Sequence, residues 1–238
     1  MRVSRAWLLT KKEWKESFNS PMPYIVLVLF FLLQGWFFTS SLFLGGQANL
    51  DSFFGTLPLM LGIFVPALTM RLFSEEFKTG TIETLATLPL DDAEIVMGKY
   101  GAILSIWLIM VLFSLPYFGI LIALGPPDFG QMAGGFFGTI LLGAFYGSLG
   151  LLASSFTRSQ VVGFLLGFLF CFAFFMVGQA ADYMPGVPGQ LLSFLGVNRH
   201  FEGFLKGVVD TRDILYFLSG TFLALTGTLA SFNARRWR

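Results

Sequence analysis

The chain has 238 residues, of which 55% are hydrophobic and 12% charged, with a mean hydropathy of +0.74. Soluble domains carry about a quarter charged residues, so this composition excludes a soluble globular protein and indicates a polytopic membrane protein. A formal net charge of +1 argues against a nucleic-acid partner, and the one cysteine, Cys171, excludes an intrachain disulfide or a thiolate metal cluster.

Windows without charge run over 17–50, 52–70, 100–127, 129–157, 159–181 and 214–234. Each holds the roughly 20 apolar residues that a helix needs to cross the hydrocarbon core. Alternation with period two is absent, which argues against a β-barrel. An all-α fold with six transmembrane helices is therefore expected. With both termini on one side, that side holds Arg2, Arg5, Lys11, Lys12, Lys15, Arg71, Lys78, Lys99, Arg158, Arg235, Arg236 and Arg238, and the other holds Arg199, Lys206 and Arg212. The positive-inside rule then puts both termini in the cytoplasm.

Residues 1–20 read as an interfacial helix. Val3, Trp7, Trp14 and Phe18 share one helical face, and Arg5, Lys11, Lys12 and Lys15 lie largely outside it. The apolar ridge suits acyl chains and the lysines suit anionic headgroups. A plain membrane anchor and a grip on a partner explain this pattern equally well. Pro21 and Pro23 turn the chain into a first span at about 24–44, whose apolar run is too long for a signal peptide and lacks a small-residue cleavage site. The second span, about 53–72, carries Pro58 and Pro66, which should kink it.

The interval 71–99 is the long polar insert of the first two thirds of the chain, and it is acidic: Arg71, Lys78 and Lys99 stand against Glu75, Glu76, Glu83, Asp91, Asp92 and Glu94. Glu75 to Lys78 should continue the preceding helix, and Gly80 with Thr81 should end it. Ile82, Leu85, Ala86 and Leu88 fall at helical spacing and predict a stub of about two turns with one apolar face, stopped by Pro89. Asp91 or Asp92 can cap the next helix, with Glu94 in its first turn. The expected order is helix, short amphipathic helix across the membrane surface, helix. A solvated loop is the competing reading, with equal weight.

A third span follows at about 99–124, and Gly125, Pro126 and Pro127 force a tight turn. The fourth, about 132–155, carries Gly134, Gly138, Gly143 and Gly147, and the fifth, about 161–181, carries Gly163 and Gly167. Small residues at this spacing let helices approach closely in lipid, and packing within the bundle outweighs a subunit seam as their use. Residues 182–213 form a second polar insert, on the outer side. Pro185, Gly186, Pro188 and Gly189 open it, and the apolar groups Leu191 to Leu195 and Phe201 to Val209 predict two short helices at the outer boundary. His200 is the lone histidine, so a surface histidine is expected rather than a zinc site or a histidine–carboxylate relay. The last span is about 214–232, followed by a basic tail.

The apolar spans hold no Asp, Glu, Lys or Arg, which argues against an intramembrane ion relay. There is no GxxxxGK[ST] phosphate loop, nucleophile elbow or HExxH pair. No catalytic, cofactor-binding or metal residue is assigned, and energy for any movement has to come from a partner.

The segment FSEEFKTGTIETLATLPLDDAEIVMGKY, from Phe73 to Tyr100, resembles the region after the second span in ABC-2 type transporter permeases. The likeness rests on Glu75 and Glu76, Gly80 and Thr81, Glu83, Leu85, Pro89, and Gly98 with Lys99. Residues 200–237 resemble the end of the same permeases, particularly those similar to the gliding-motility-associated permease GldF, through Gly207, Asp213 and Tyr216. The resemblance implies a single ABC-2-like transmembrane domain over 1–238 in a bacterial inner membrane. It implies dimerisation with a second copy or a related permease, with the first and fifth spans at the seam, and two cytoplasmic ATP-binding subunits that hold ATP and Mg. By the same likeness 79–88 is a coupling helix seated in the ATPase, with Glu75, Glu76, Gly80, Thr81, Ile82, Glu83, Leu85, Leu88 and Pro89 as coupling residues. Residues 1–20 become the elbow helix, with Trp7, Lys11, Lys12, Trp14 and Lys15, and the outer short helices close the translocation path. The outer loops are too small for a large extracellular domain, which an auxiliary membrane subunit would have to supply. A charge-free path favours an amphipathic, lipid-linked or polymeric cargo. The alternative function is a non-transporting membrane anchor or assembly scaffold, and an intramembrane enzyme ranks third.

Overall fold

A computed structural model describes residues 2–45, 51–82, 90–124, 128–181 and 183–236. Among them all regular structure is helical. In chain order the helices are α1 (Arg2–Phe18), α2 (Met22–Gly45), α3 (Asp51–Gly55), α4 (Leu57–Thr69), α5 (Arg71–Thr79), α6 (Asp92–Phe113), α7 (Leu115–Leu124), α8 (Phe129–Ser155), α9 (Gln160–Ala181), α10 (Val187–Leu195), α11 (Val197–Leu205) and α12 (Thr211–Arg236). Among the described residues six stretches are long and apolar enough to cross a membrane: α2, α4 with α5, α6 with α7, α8, α9 and α12. Of the stub expected over 79–88, residues 83–88 lie outside the described residues, as does the turn at Gly125 to Pro127.

Prolines set the breaks in these spans. The second expected span is divided, with Thr56 between α3 and α4 and Met70 between α4 and α5. Pro58 sits in the first turn of α4, where its missing N–H is no loss, whereas Pro66 lies inside α4 and interrupts the ladder one turn before the second break. The third span, expected to run without a break, is divided at Ser114, two residues before Pro116. There the Ser114 hydroxyl donates to the Val111 carbonyl at 2.7 Å.

α8 is the hub, packed against α4, α6, α9, α11 and α12. Its glycines face helices of the same chain: Gly138 meets Phe204, Gly147 meets Ile103, and Gly143 meets Trp107. Gly163 and Gly167 of α9 likewise turn toward Met70 and Pro66, so a subunit seam on α9 would have to use its other side. Phe53, Phe54, Phe64, Trp107, Phe145 and Tyr146 fill the middle of the bundle. Gln34, buried in α2, donates to the Phe53 carbonyl at 2.6 Å and ties α2 to α3. α2, α9 and α12 form the rim and expose Leu32, Trp36, Leu165, Leu169, Leu218 and Phe222, a surface suited to lipid and not to water.

The break at Met70 creates a helix start in the protein interior, where the first N–H groups of α5 have no partner in their own helix. Ser154 of α8 supplies one. Its hydroxyl oxygen accepts the N–H groups of Phe73 at 3.0 Å and Ser74 at 3.2 Å, and its own proton goes to the Met70 carbonyl at 3.1 Å. Ser154→Ala leaves buried N–H groups unpaired and is expected to destabilise the purified protein by about 1–3 kcal/mol. Thermal unfolding in detergent measures this, and a midpoint equal to that of the parent protein would rule out the capping role.

At the opposite end of the bundle from α1, the two short helices expected from the second polar insert are present as α10 and α11. His200 departs from the expectation of a surface residue. It is 7% exposed, and its ring contacts Asp213 and the Phe194 carbonyl. The pairing reaches across 13 positions, from α11 to the first turn of α12, and a lone histidine gives no sign of it in sequence.

Candidate functional site

The site forms where α1, α5 and the first turns of α6 meet. α6 begins at a capping box in which the Glu94 carboxylate accepts the Asp91 N–H at 3.0 Å. One turn later Gly98 and Gly101 leave a notch without side chains. A Cβ on Gly98 would stand 2.8 Å from Leu9 Cδ2, and one on Gly101 would stand 2.7 Å from Thr10 Oγ1. α1 lies in that notch, with the Thr10 hydroxyl 3.0 Å from the Gly98 carbonyl.

This approach carries Glu13, one turn along α1, to Lys99. The Lys99 side chain is fully buried, with Nζ 3.1 Å from Glu13 Oε1 and 2.7 Å from Glu76 Oε1. The Phe73 ring centroid lies 5.2 Å away. Burying an ammonium costs several kcal/mol, and two carboxylates and an aromatic face offset that here. One cation thereby joins three helices. Around it Leu9, Leu72, Phe73, Ile95, Val96 and Tyr100 form an apolar cluster. Beside it a cleft of about 660 Å³ opens between α1, the start of α2, and α4 with α5, and Glu13, Glu16, Glu75 and Glu76 are among its walls.

The residues expected to couple to a partner do not share one surface. Glu76 is in the charge cluster, while Glu75 pairs with Arg71 at 3.0 Å, and Arg71 also donates to the Ser20 hydroxyl. Gly80 ends α5 in the left-handed region at φ 75°, as a helix terminator should, and the Thr81 and Thr79 hydroxyls are 3.0 Å apart. Ile82 packs on the apolar cluster. Glu83, Leu85, Leu88 and Pro89 lie outside the described residues. On α1, Trp7, Lys11, Lys12, Trp14 and Lys15 are all exposed, and Lys12 pairs with Glu16 at 3.4 Å. The face that binds the protein is instead Leu9, Thr10 and Glu13. Sequence reasoning missed Glu13, although its spacing from Leu9 places both on the side of α1 away from Trp7 and Trp14. It also treated Lys99 as a border residue, and the structure buries it.

Through Lys99 the arrangement ties α5 to both α1 and α6. The model of the ABC-2 family transporter protein matches residues 7–219. Nothing among the curated proteins matches the chain. The family match takes in α1 from Trp7 onward, the charge cluster, all of the first five spans and the short helices α10 and α11. This chain therefore belongs to the ABC-2 transporter family, as a multi-pass membrane component and not as the ATP-hydrolysing subunit.

Proposed function

We propose that the chain is the permease subunit of an ATP-driven exporter or mechanotransmission complex, similar to GldF-type permeases, in a bacterial inner membrane with both termini cytoplasmic. It pairs with a second copy or a related permease, and each copy receives one of two ATP-binding subunits that hold ATP and Mg. An auxiliary membrane subunit with an extracytoplasmic domain is a further partner, and the exposed tryptophans and lysines of α1 sit among membrane lipids. The observation that carries this reading is the Glu13–Lys99–Glu76 cluster. It fastens α5 to α1 and α6 immediately before the 79–88 segment, which is where a push from an ATPase would enter. The apolar residues Leu85 and Leu88 suit the floor of an ATPase groove, and Glu75 and Glu83 suit a basic rim, while Ile82 and Glu76 are held within the chain.

Leu85→Asp places a charge in that floor and is expected to weaken ATPase binding by about tenfold or more. Glu83→Lys reverses a rim charge and should weaken assembly in a salt-dependent way. Neither change touches a span, so membrane insertion should be unaffected. Copurification with the ATPase and stimulated ATP hydrolysis measure both effects. Full binding and stimulation in both variants would leave 79–88 a solvated loop and end the coupling reading.

A further inference from the structure

We propose that the cleft between α1, the start of α2, and α4 with α5 is a binding site for an amphipathic ligand that carries a primary ammonium group. Its volume of about 660 Å³ falls within the roughly 300–1,000 Å³ typical of small-molecule sites. Met22, Pro23, Ala67, Leu68, Leu72 and Ile106 give it an apolar lining, and Glu13, Glu16, Glu75 and Glu76 bring carboxylates to the same walls. Ala67, Leu68 and Ile106 belong to stretches apolar enough to span a membrane, whereas Thr81, also in the walls, is exposed beyond the end of α5. The lining thus passes from bilayer-spanning helices to a polar surface, which suits a molecule with an apolar chain and a charged head.

The ion pairs decide the sign of that head. Lys12 pairs with Glu16 at 3.4 Å and Arg71 with Glu75 at 3.0 Å, one cation to one carboxylate in each case. Glu13 and Glu76 instead share Lys99, so two carboxylates stand against one ammonium, and the wall of the cleft keeps a negative charge in excess.

Glu76 also lacks a donor. Its Oε1 holds Lys99 at 2.7 Å, while Oε2 is buried and has no hydrogen-bond partner among the described residues. Leaving a buried carboxylate oxygen unserved is costly, and an ammonium in the cleft would supply both the missing charge and the missing N–H. A quaternary ammonium brings the charge without an N–H, and an alcohol brings a donor without the charge. A free alkylamine and an ethanolamine phospholipid both carry the group that fits. This inference does not depend on an ATPase partner.

Native mass spectrometry of the full chain, released from a nonionic detergent, tests it with two matched pairs of probes. One pair is dodecylamine and dodecyltrimethylammonium, and the other is phosphatidylethanolamine and phosphatidylcholine with the same acyl chains. In at least one pair the primary ammonium should bind about tenfold tighter or more, the worth of a charge-assisted hydrogen bond. Glu76→Gln should abolish that preference, and because it leaves Lys99 and Glu13 paired one to one, the unfolding midpoint should be retained. Ala67→Phe fills the cleft without touching a charge and should also abolish it. A preference confined to the alkyl pair makes the ligand a free amine, and one in the lipid pair makes it a lipid headgroup; either supports the site. Equal binding within both pairs would overturn it, as would a preference that survives in Glu76→Gln or in Ala67→Phe.

Discussion

Lys99→Met is expected to lower the stability of the detergent-solubilised protein by about 3–5 kcal/mol, because Glu13 and Glu76 would then face each other in the interior without the ammonium between them. Methionine keeps the length and apolar stem of lysine, so the loss reports the charge and not a cavity. Glu13 is 5% exposed and the Glu76 side chain 14% exposed, so the two carboxylates stay close together at the wall of the cleft. Adding Glu13→Gln and Glu76→Gln to Lys99→Met should recover most of the loss, since no uncompensated charge remains. Unfolding midpoints of the single and triple variants measure both effects. A single variant as stable as the parent would mean that the cluster is hydrated and does not fasten the helices.

The second large effect is expected at the centre of the bundle. A Cβ on Gly143 would stand 2.0 Å from Trp107 Nε1, far inside contact distance. Trp107 has nowhere to go: it is 2% exposed, it donates to the Thr139 carbonyl at 3.3 Å, and Phe30 lies edge-on to its ring. Gly143→Leu is therefore expected to separate α6 from α8 at a cost of about 3 kcal/mol, the upper end of what overpacking usually imposes. Gly143→Ala combined with Trp107→Leu should be more stable than Gly143→Ala alone, because the smaller partner relieves the clash. Thermal unfolding again gives the answer, and a normal midpoint for Gly143→Leu would show that the two helices are not in close contact.

What the sequence made legible was local. Apolar length gave the six spans, Gly80 gave the end of α5, Asp91 with Glu94 gave the start of α6, and the spacing of Leu191 to Val209 gave α10 and α11. Each of these signals is carried by residues within a turn or two of one another. The charge cluster is not local, for Lys99 meets Glu13 across 86 positions and Glu76 across 23. Nothing in the periodicity of α1 pointed to it. The strongest apolar ridge, Trp7 with Trp14, faces away from the protein, and the face against α6 includes a glutamate, which lowers its apolar signal. The Gly98 and Gly101 notch was visible as residues, but its occupant was not. His200 and Asp213 were hidden in the same way, each unremarkable until α11 folds back on α12. The division at Ser114 was missed although Pro116 was in view, because whether a proline bends a helix or ends it depends on what its neighbours can offer the freed groups.

If the cluster at Lys99 carries force from an ATPase into the membrane, α1, α5 and the inner end of α6 move as one body. Spin labels at Lys11→Cys and Lys78→Cys, both exposed positions, test this in a Cys171→Ala background with the ATPase bound. The expected result is a distance between the two labels of one chain that is the same with and without ATP, while the distance between Lys78→Cys labels on the two permease copies changes. A change in the distance from Lys11→Cys to Lys78→Cys within one chain on binding ATP would contradict transmission through the cluster.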